Sequence, residues 1–197
     1  MSTPLMPITD ELLASLGACS AAAKLLAHPA CPPLPLPLGL ALQLVADNLH
    51  TFTVRPMEPS AAAAMRWLTA RMLQSTNGAD LDTLAALHQP ALGIHVESAS
   101  HSTVFCGRYS LMLLSYPTPT DVVLRMDEHA HVMLLGPITA TLDDASPDKS
   151  WPTSSVARVH PDAEIIVPDE LGLRFHTWHK ATGWWRGDLA GTEGVPY

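Results

Sequence analysis

The stretch TVFCGRYSLMLLSYPTPTDVVLRMDEHAHVMLLGPITATL, Thr103–Leu142, decides how this chain is read. It breaks into short β-branched and aliphatic runs, divided by Gly, Pro and Asp. Such runs, bounded by turn formers, are the mark of strands. Several of them, "SLMLLSY" and "HVMLLG" among them, are apolar without alternation. A strand of that kind is expected to be covered on both faces. Upstream "LGIHV" and downstream "AEIIVP" extend the strand texture on either side.

Before this region the chain reads as helical. "TDELLASLGACSAAAKLLAHP" offers Thr9 or Asp10 as an N-cap and an apolar stripe of Leu12, Leu13, Leu16, Cys19, Ala23 and Leu26. A second helix is expected over Leu38–Leu49. A third runs from about Ser60 to Ser75, with Asn77-Gly78 closing it, and a short fourth covers Leu81–His88. "CPPLPLPL", residues 31–38, is too rich in proline for a helix or a central strand and is expected as an extended connector. Residues 142–155 are the expected flexible loop, and residues 184–197 form a glycine-rich tail with Trp184 and Trp185. Helices come first, strands later, with no internal repeat and no clear linker. The expectation is therefore one α/β domain over residues 1–197, helix-rich in its first half with a mixed sheet in its second.

Bulk composition narrows the function. The chain has 197 residues, 47% of them hydrophobic, which is enough for a packed interior. A formal charge of −8 argues against a nucleic-acid surface and against anionic membranes. Cys19, Cys31 and Cys106 are scattered, which suits reduced thiols in the cytoplasm. No Lys or Arg precedes Lys24, so a secretory leader is not expected. The apolar run Cys31–Ala46 contains four prolines and is not a membrane helix.

Chemistry-bearing residues are few. In "DEHAH", Asp127–His131, two histidines stand two apart. On a strand both rings face one way and would grip one metal. With His176, after "VPDELGLRF", they resemble the metal site of a cupin barrel, which would hold Fe or Zn in a dioxygenase-type enzyme. The cupin glutamate is missing from "VMLLGP", however, and Gly136 comes early. The simpler reading makes "DEHAH" a polar hairpin turn between "DVVLRM" and "VMLLG". No serine sits in a G-x-S-x-G elbow, and no Gly-rich loop follows a strand to cradle phosphate. Cys106, in "TVFCGRY", reads as a buried, inert thiol. The pairs Asp127/Glu128, Asp143/Asp144 and Asp169/Glu170 are neighbours in turns and solvate loops. A third reading is a binding or regulatory protein with the tail from Trp184 to Tyr197 as its contact surface.

Six segments, taken in order, resemble the H-subunit family of the bacterial carbon–phosphorus lyase complex. They are "KLLAHPA" (Lys24–Ala30), "LQLVADNLHTFTV" (Leu42–Val54), "MRWLTAR" (Met65–Arg71), "ESASHSTVF" (Glu97–Phe105), "LLGPI" (Leu134–Ile138) and "HPDAEIIVPDELGLRFHTWHKAT" (His160–Thr182). Ala30 stands where the family has a turn glycine, and Trp178-His179-Lys180 replaces its Pro-Arg-Thr. The resemblance implies an α/β fold topologically like the pyridoxal-phosphate transferases but without that cofactor. It implies a cytoplasmic, self-associating subunit, a homodimer, that serves a phosphonate-degrading complex and supplies no catalytic residues. "LRFHTWHK", Leu173–Lys180, would then be the last core strand. Its outward Arg174, His176 and Trp178 would join Trp184 and Trp185 in contacts with other subunits.

Overall fold

The computed structural model describes residues 5, 7–16, 20–29, 31–49, 61–76, 79–127, 129–143 and 154–166. The chain divides between Ile94 and His95 into two compact units. The first is helical and the second is built of strands, so the α/β class and the order of elements are as expected.

In the helical unit, α1 (Asp10–Ser15) starts where Leu12 N–H donates to the Thr9 hydroxyl at 3.1 Å, satisfying one of the helix's free donors. The expected first helix is two: α1 stops at Leu16, and α2 spans Ser20–Leu26. The proline connector is tied down by a two-way backbone bridge between Ile8 and Leu36, both buried. Helix α3 (Leu38–Asp47) follows it, and α4 (Ala61–Ser75) packs against α2 and α3. Ten residues of α4 are buried, which makes it the centre of the unit. Helix α5 (Leu81–Ala86) is capped by Asp80, which accepts from Thr83 N–H at 2.7 Å. A 3₁₀ turn, Pro90–Leu92, ends at Gly93 in the left-handed region and leads into the strands.

Eight strands follow: β1 (Ile94–Glu97), β2 (Thr103–Cys106), β3 (Leu111–Leu114), β4 (Thr120–Met126), β5 (His131–Leu134), β6 (Ile138–Asp143), β7 (Ser155–Arg158) and β8 (Glu164–Ile166). They form two four-stranded sheets, ordered β1-β3-β5-β7 and β2-β4-β6-β8. Every registered pair is parallel. Parallel neighbours need a crossover between them. Here that crossover is a strand of the other sheet plus two turns, so the chain winds as a parallel β-solenoid. Leu111 lies beside His131 and His131 beside Ser155; Thr103 lies beside Val123 and Val123 beside Thr141. One winding therefore takes about 20 residues, lengthening in the last turn.

Three expectations change. In place of one mixed sheet there are two sheets, parallel at every registered pair. The internal repeat judged absent exists in the backbone, because a solenoid needs only matching burial at matching positions. The topology is not the open transferase-type sheet, whose parallel strands are joined by helices; here the links are turns of three to five residues, except between β6 and β7. The parallel pairing also differs from the antiparallel jelly roll of a cupin.

The runs read as single strands are each two, split at Gly107–Ser110 and at Leu135–Pro137. Strand β7 was unforeseen, and Leu142 and Asp143, the start of the expected loop, belong to β6. Residues 144–153 of that loop, the strand expected at Leu173–Lys180 and the tail from 184 lie outside the described residues.

Candidate functional site

A group of polar and aromatic side chains meets at one corner of the solenoid, where the second sheet turns into the first. At β2–β3 the chain turns through Gly107-Arg108-Tyr109-Ser110, and at β4–β5 through Asp127–Ala130. Tyr109 and His129 hold equivalent positions and both adopt left-handed backbone, φ 56° and 55°. Such a φ is uncommon away from glycine. Their rings stack with centroids 4.8 Å apart and planes 10° from parallel, and the Arg108 guanidinium lies 4.8 Å over the Tyr109 ring. Stacked rings at this spacing match the 4.7–4.9 Å between adjacent strands, so the solenoid itself sets the stack.

The same turns carry a largely buried hydrogen-bonded ladder. The Cys106 thiol sits 3.2 Å from Ser110 Oγ and donates toward the His131 carbonyl at 3.6 Å, joining the two sheets. The Ser110 hydroxyl donates to the Gly107 carbonyl. His131 Nδ1 is 2.8 Å from Ser155 Oγ, one rung on, and the Ser154 hydroxyl donates to the Asp127 carbonyl at 2.7 Å. Backbone bonds run alongside, from Asp127 N–H to Cys106, from His131 N–H to Ser110 and from Ser155 N–H to Ala130.

This geometry defines what the groups can do. Burial pushes the Cys106 thiol up to about 11, against small lowering contributions from Ser110 and His131, so it is a neutral thiol at pH 7. Ser155 is wholly buried and His131 nearly so, which leaves a substrate no approach to that hydroxyl. These groups hold successive rungs together.

The metal candidates take different places. His129 and His131 do not share one strand face: His129 is in the left-handed turn, stacked on Tyr109, and only His131 is on β5. "DEHAH" is a turn, but it joins strands of different sheets and is no hairpin. His176 lies outside the described residues, as do Arg174, Trp178, Trp184 and Trp185. Among the described residues no three His, Cys, Asp or Glu side chains gather as a metal site, and no helix is long and apolar enough to cross a membrane.

Sequence reasoning missed Tyr109, Ser110, Ser154 and Ser155. A signal was present: "LMLLSYP" and "HVMLLGP" align at a spacing of 20, placing Tyr116 opposite Gly136 and Pro117 opposite Pro137.

Two other surfaces stand out. In the helical unit, a cleft of about 740 Å³ opens between α3 and α5, bordered by Leu38, Gly39, Thr83 and His88, with Gln89 Nε2 donating to Gln43 Oε1 at 2.9 Å. In the strand unit, the outer face of the second sheet is open. It shows three columns in register: Asp121, Thr139 and Glu164; then Thr103, Val123, Thr141 and Ile166; then Phe105, Arg125 and Asp143. Arg125 Nε donates to Asp143 Oδ2 at 2.8 Å, and Phe105 is 60% exposed.

No known protein family, curated protein or solved structure matches the chain.

Proposed function

We propose that this protein acts by association, as a non-catalytic, self-associating subunit of a larger assembly. The observation that carries this reading is the use to which the corner puts its reactive groups. Cys106, Ser110, His131, Ser154 and Ser155 face one another as links between rungs, and burial holds the thiol protonated. The open surface of the same unit is a flat, ordered sheet face, which is a form suited to contact. The resemblance in the sequence names a phosphonate-degrading, carbon–phosphorus lyase-type complex as the assembly to test first. Its support is the order of the six segments; the solenoid winding adds none.

Native mass spectrometry of the purified chain, with and without chelator, tests the reading. A metal-free oligomer is expected, together with capture of carbon–phosphorus lyase subunits when these are co-expressed. A stoichiometric, chelator-sensitive metal ion bound to a monomer would overturn it.

A further inference from the structure

The outer face of the second sheet has a charge pattern that matches its own reverse. Its central column, Thr103, Val123, Thr141 and Ile166, is uncharged. One flank, Asp121, Thr139 and Glu164, is acidic. The other, Phe105, Arg125 and Asp143, holds at its middle the one cation among the described residues of the face. Arg125 and Asp121 are both exposed and both on β4, two residues either side of Val123.

We propose that this face pairs with the same face of a second copy, about a two-fold axis that crosses the strands along the central column; the proposal rests on the self-association reading above. That rotation reverses strand direction and exchanges the flanks. Val123 then meets Val123, Thr141 meets Thr141 and Ile166 meets Ile166. Arg125 of each copy lies over Asp121 of the other, giving two equivalent ion pairs, as an isologous interface requires. The Thr139 hydroxyl of each copy faces the other's Asp143. Arg125 keeps its Asp143 bond, because a guanidinium has donors to spare beyond the Nε already used. An axis running along the strands would instead lay each flank on itself, and Arg125 of one copy would not reach Asp121 of the other.

Four strands about 4.8 Å apart, each rising about 3.3 Å per residue, give a footprint of roughly 300–400 Å² per copy. A standard interface takes about 800 Å² per partner. The dimer is therefore a weak one, and weakened further by salt.

The test is sedimentation equilibrium of the full chain up to about 100 μM, with Asp121→Arg and Arg125→Asp variants. Each variant places like charges over both contacts and is expected to weaken self-association at least about tenfold. Mixing the two variants restores Arg–Asp pairing at both contacts, so a heterodimer as tight as the wild-type dimer is expected. Both positions are exposed, and unchanged circular dichroism and melting temperature confirm folding. A wild-type dimer that neither variant disturbs, or variants that lose the dimer without rescue on mixing, would overturn this face and leave self-association standing. A wild-type chain that stays monomeric would overturn both.

Discussion

The two sheets of the solenoid have the same strand number, the same parallel pairing and nearly the same register, yet their sequences look unrelated. Strand β5 is buried at all four residues and β3 and β7 at three of four, so these strands of the first sheet are covered on both faces, while the edge strand β1 is buried only at Ile94. Strands β2 and β6 alternate, with outer side chains exposed on β2 and half-buried on β6. Hydropathy in this protein therefore reports how many faces of a sheet are covered. It does not report which strands pair, because pairing runs through backbone groups that every residue but proline supplies in full.

The sharpest break in the comparison is expected at the other corner, where the first sheet turns into the second through Leu135–Pro137. A Cβ on Gly136 would sit 2.3 Å from the Tyr116 carbonyl oxygen and 2.8 Å from its nitrogen. Both are backbone atoms of the rung below, and neither can swing away. Gly136→Ala should cost about 3 kcal/mol or more and separate both sheets at once. Urea unfolding checks this; a loss below about 1 kcal/mol would mean that the rungs are not packed this closely.

A matched pair of substitutions tests the sheets against each other. Val132→Thr puts a hydroxyl into the fully buried β5 and should cost about 1–3 kcal/mol. Val123→Thr makes the same change in the open column of β4, beside Thr103 and Thr141, and should stay within about 0.5 kcal/mol. Equal melting-temperature shifts would show that the two sheets are covered alike.

Cys106 gives the comparison a pH signature, since it points inward from the open sheet. Its pKa rises from 9.0 to about 11, with burial the largest cause. Between those values the unfolded chain binds fewer protons than the folded one, so stability falls as pH rises. The contribution is fully present below about pH 9 and lost as pH climbs through 11. The stability gap between the wild type and Cys106→Ala should therefore narrow across that window. A gap constant from pH 8 to 11, measured by urea midpoints, would place the thiol in water.

The smallest effect is expected on the outer face. Arg125 and Asp143 are 51% and 40% exposed. In the monomer, Arg125→Ala should cost less than about 1 kcal/mol, read by thermal unfolding at low protein concentration, and the cost should fade in salt.

Much of the helical unit was legible. Thr9 and the acidic residues after it announced α1, and the expected helix starts at Leu38 and Leu81 are those of α3 and α5. Caps and short apolar periods act within four residues, so local sequence carries them. Most strand positions were legible for the same reason. The split of "TVFCGRYSLMLLSY" was not, because Tyr109 bends the chain without a φ-permissive residue at its own position; the ring stack on His129, a rung away, accompanies that bend. Nor was β7, whose "SVAR" has no local pattern and gains its strand by pairing with β5.

The candidate site divides along the same line. The sequence placed Cys106 correctly as a buried, inert thiol, since an apolar run predicts burial and burial predicts a protonated sulfur. It also singled out the histidines of "DEHAH". Only the winding showed that His129 stacks on a residue twenty positions earlier and that His131 meets a serine twenty-four positions later. By itself, then, the sequence determined element type over most of the chain, the starts of α1, α3 and α5 and the burial of most strands, all set by near neighbours and by side-chain hydropathy. The tertiary structure alone decided that consecutive strands alternate between two sheets, and with it which polar groups meet at the corner. Those choices depend on backbone pairing across a full winding, where no side-chain code is required.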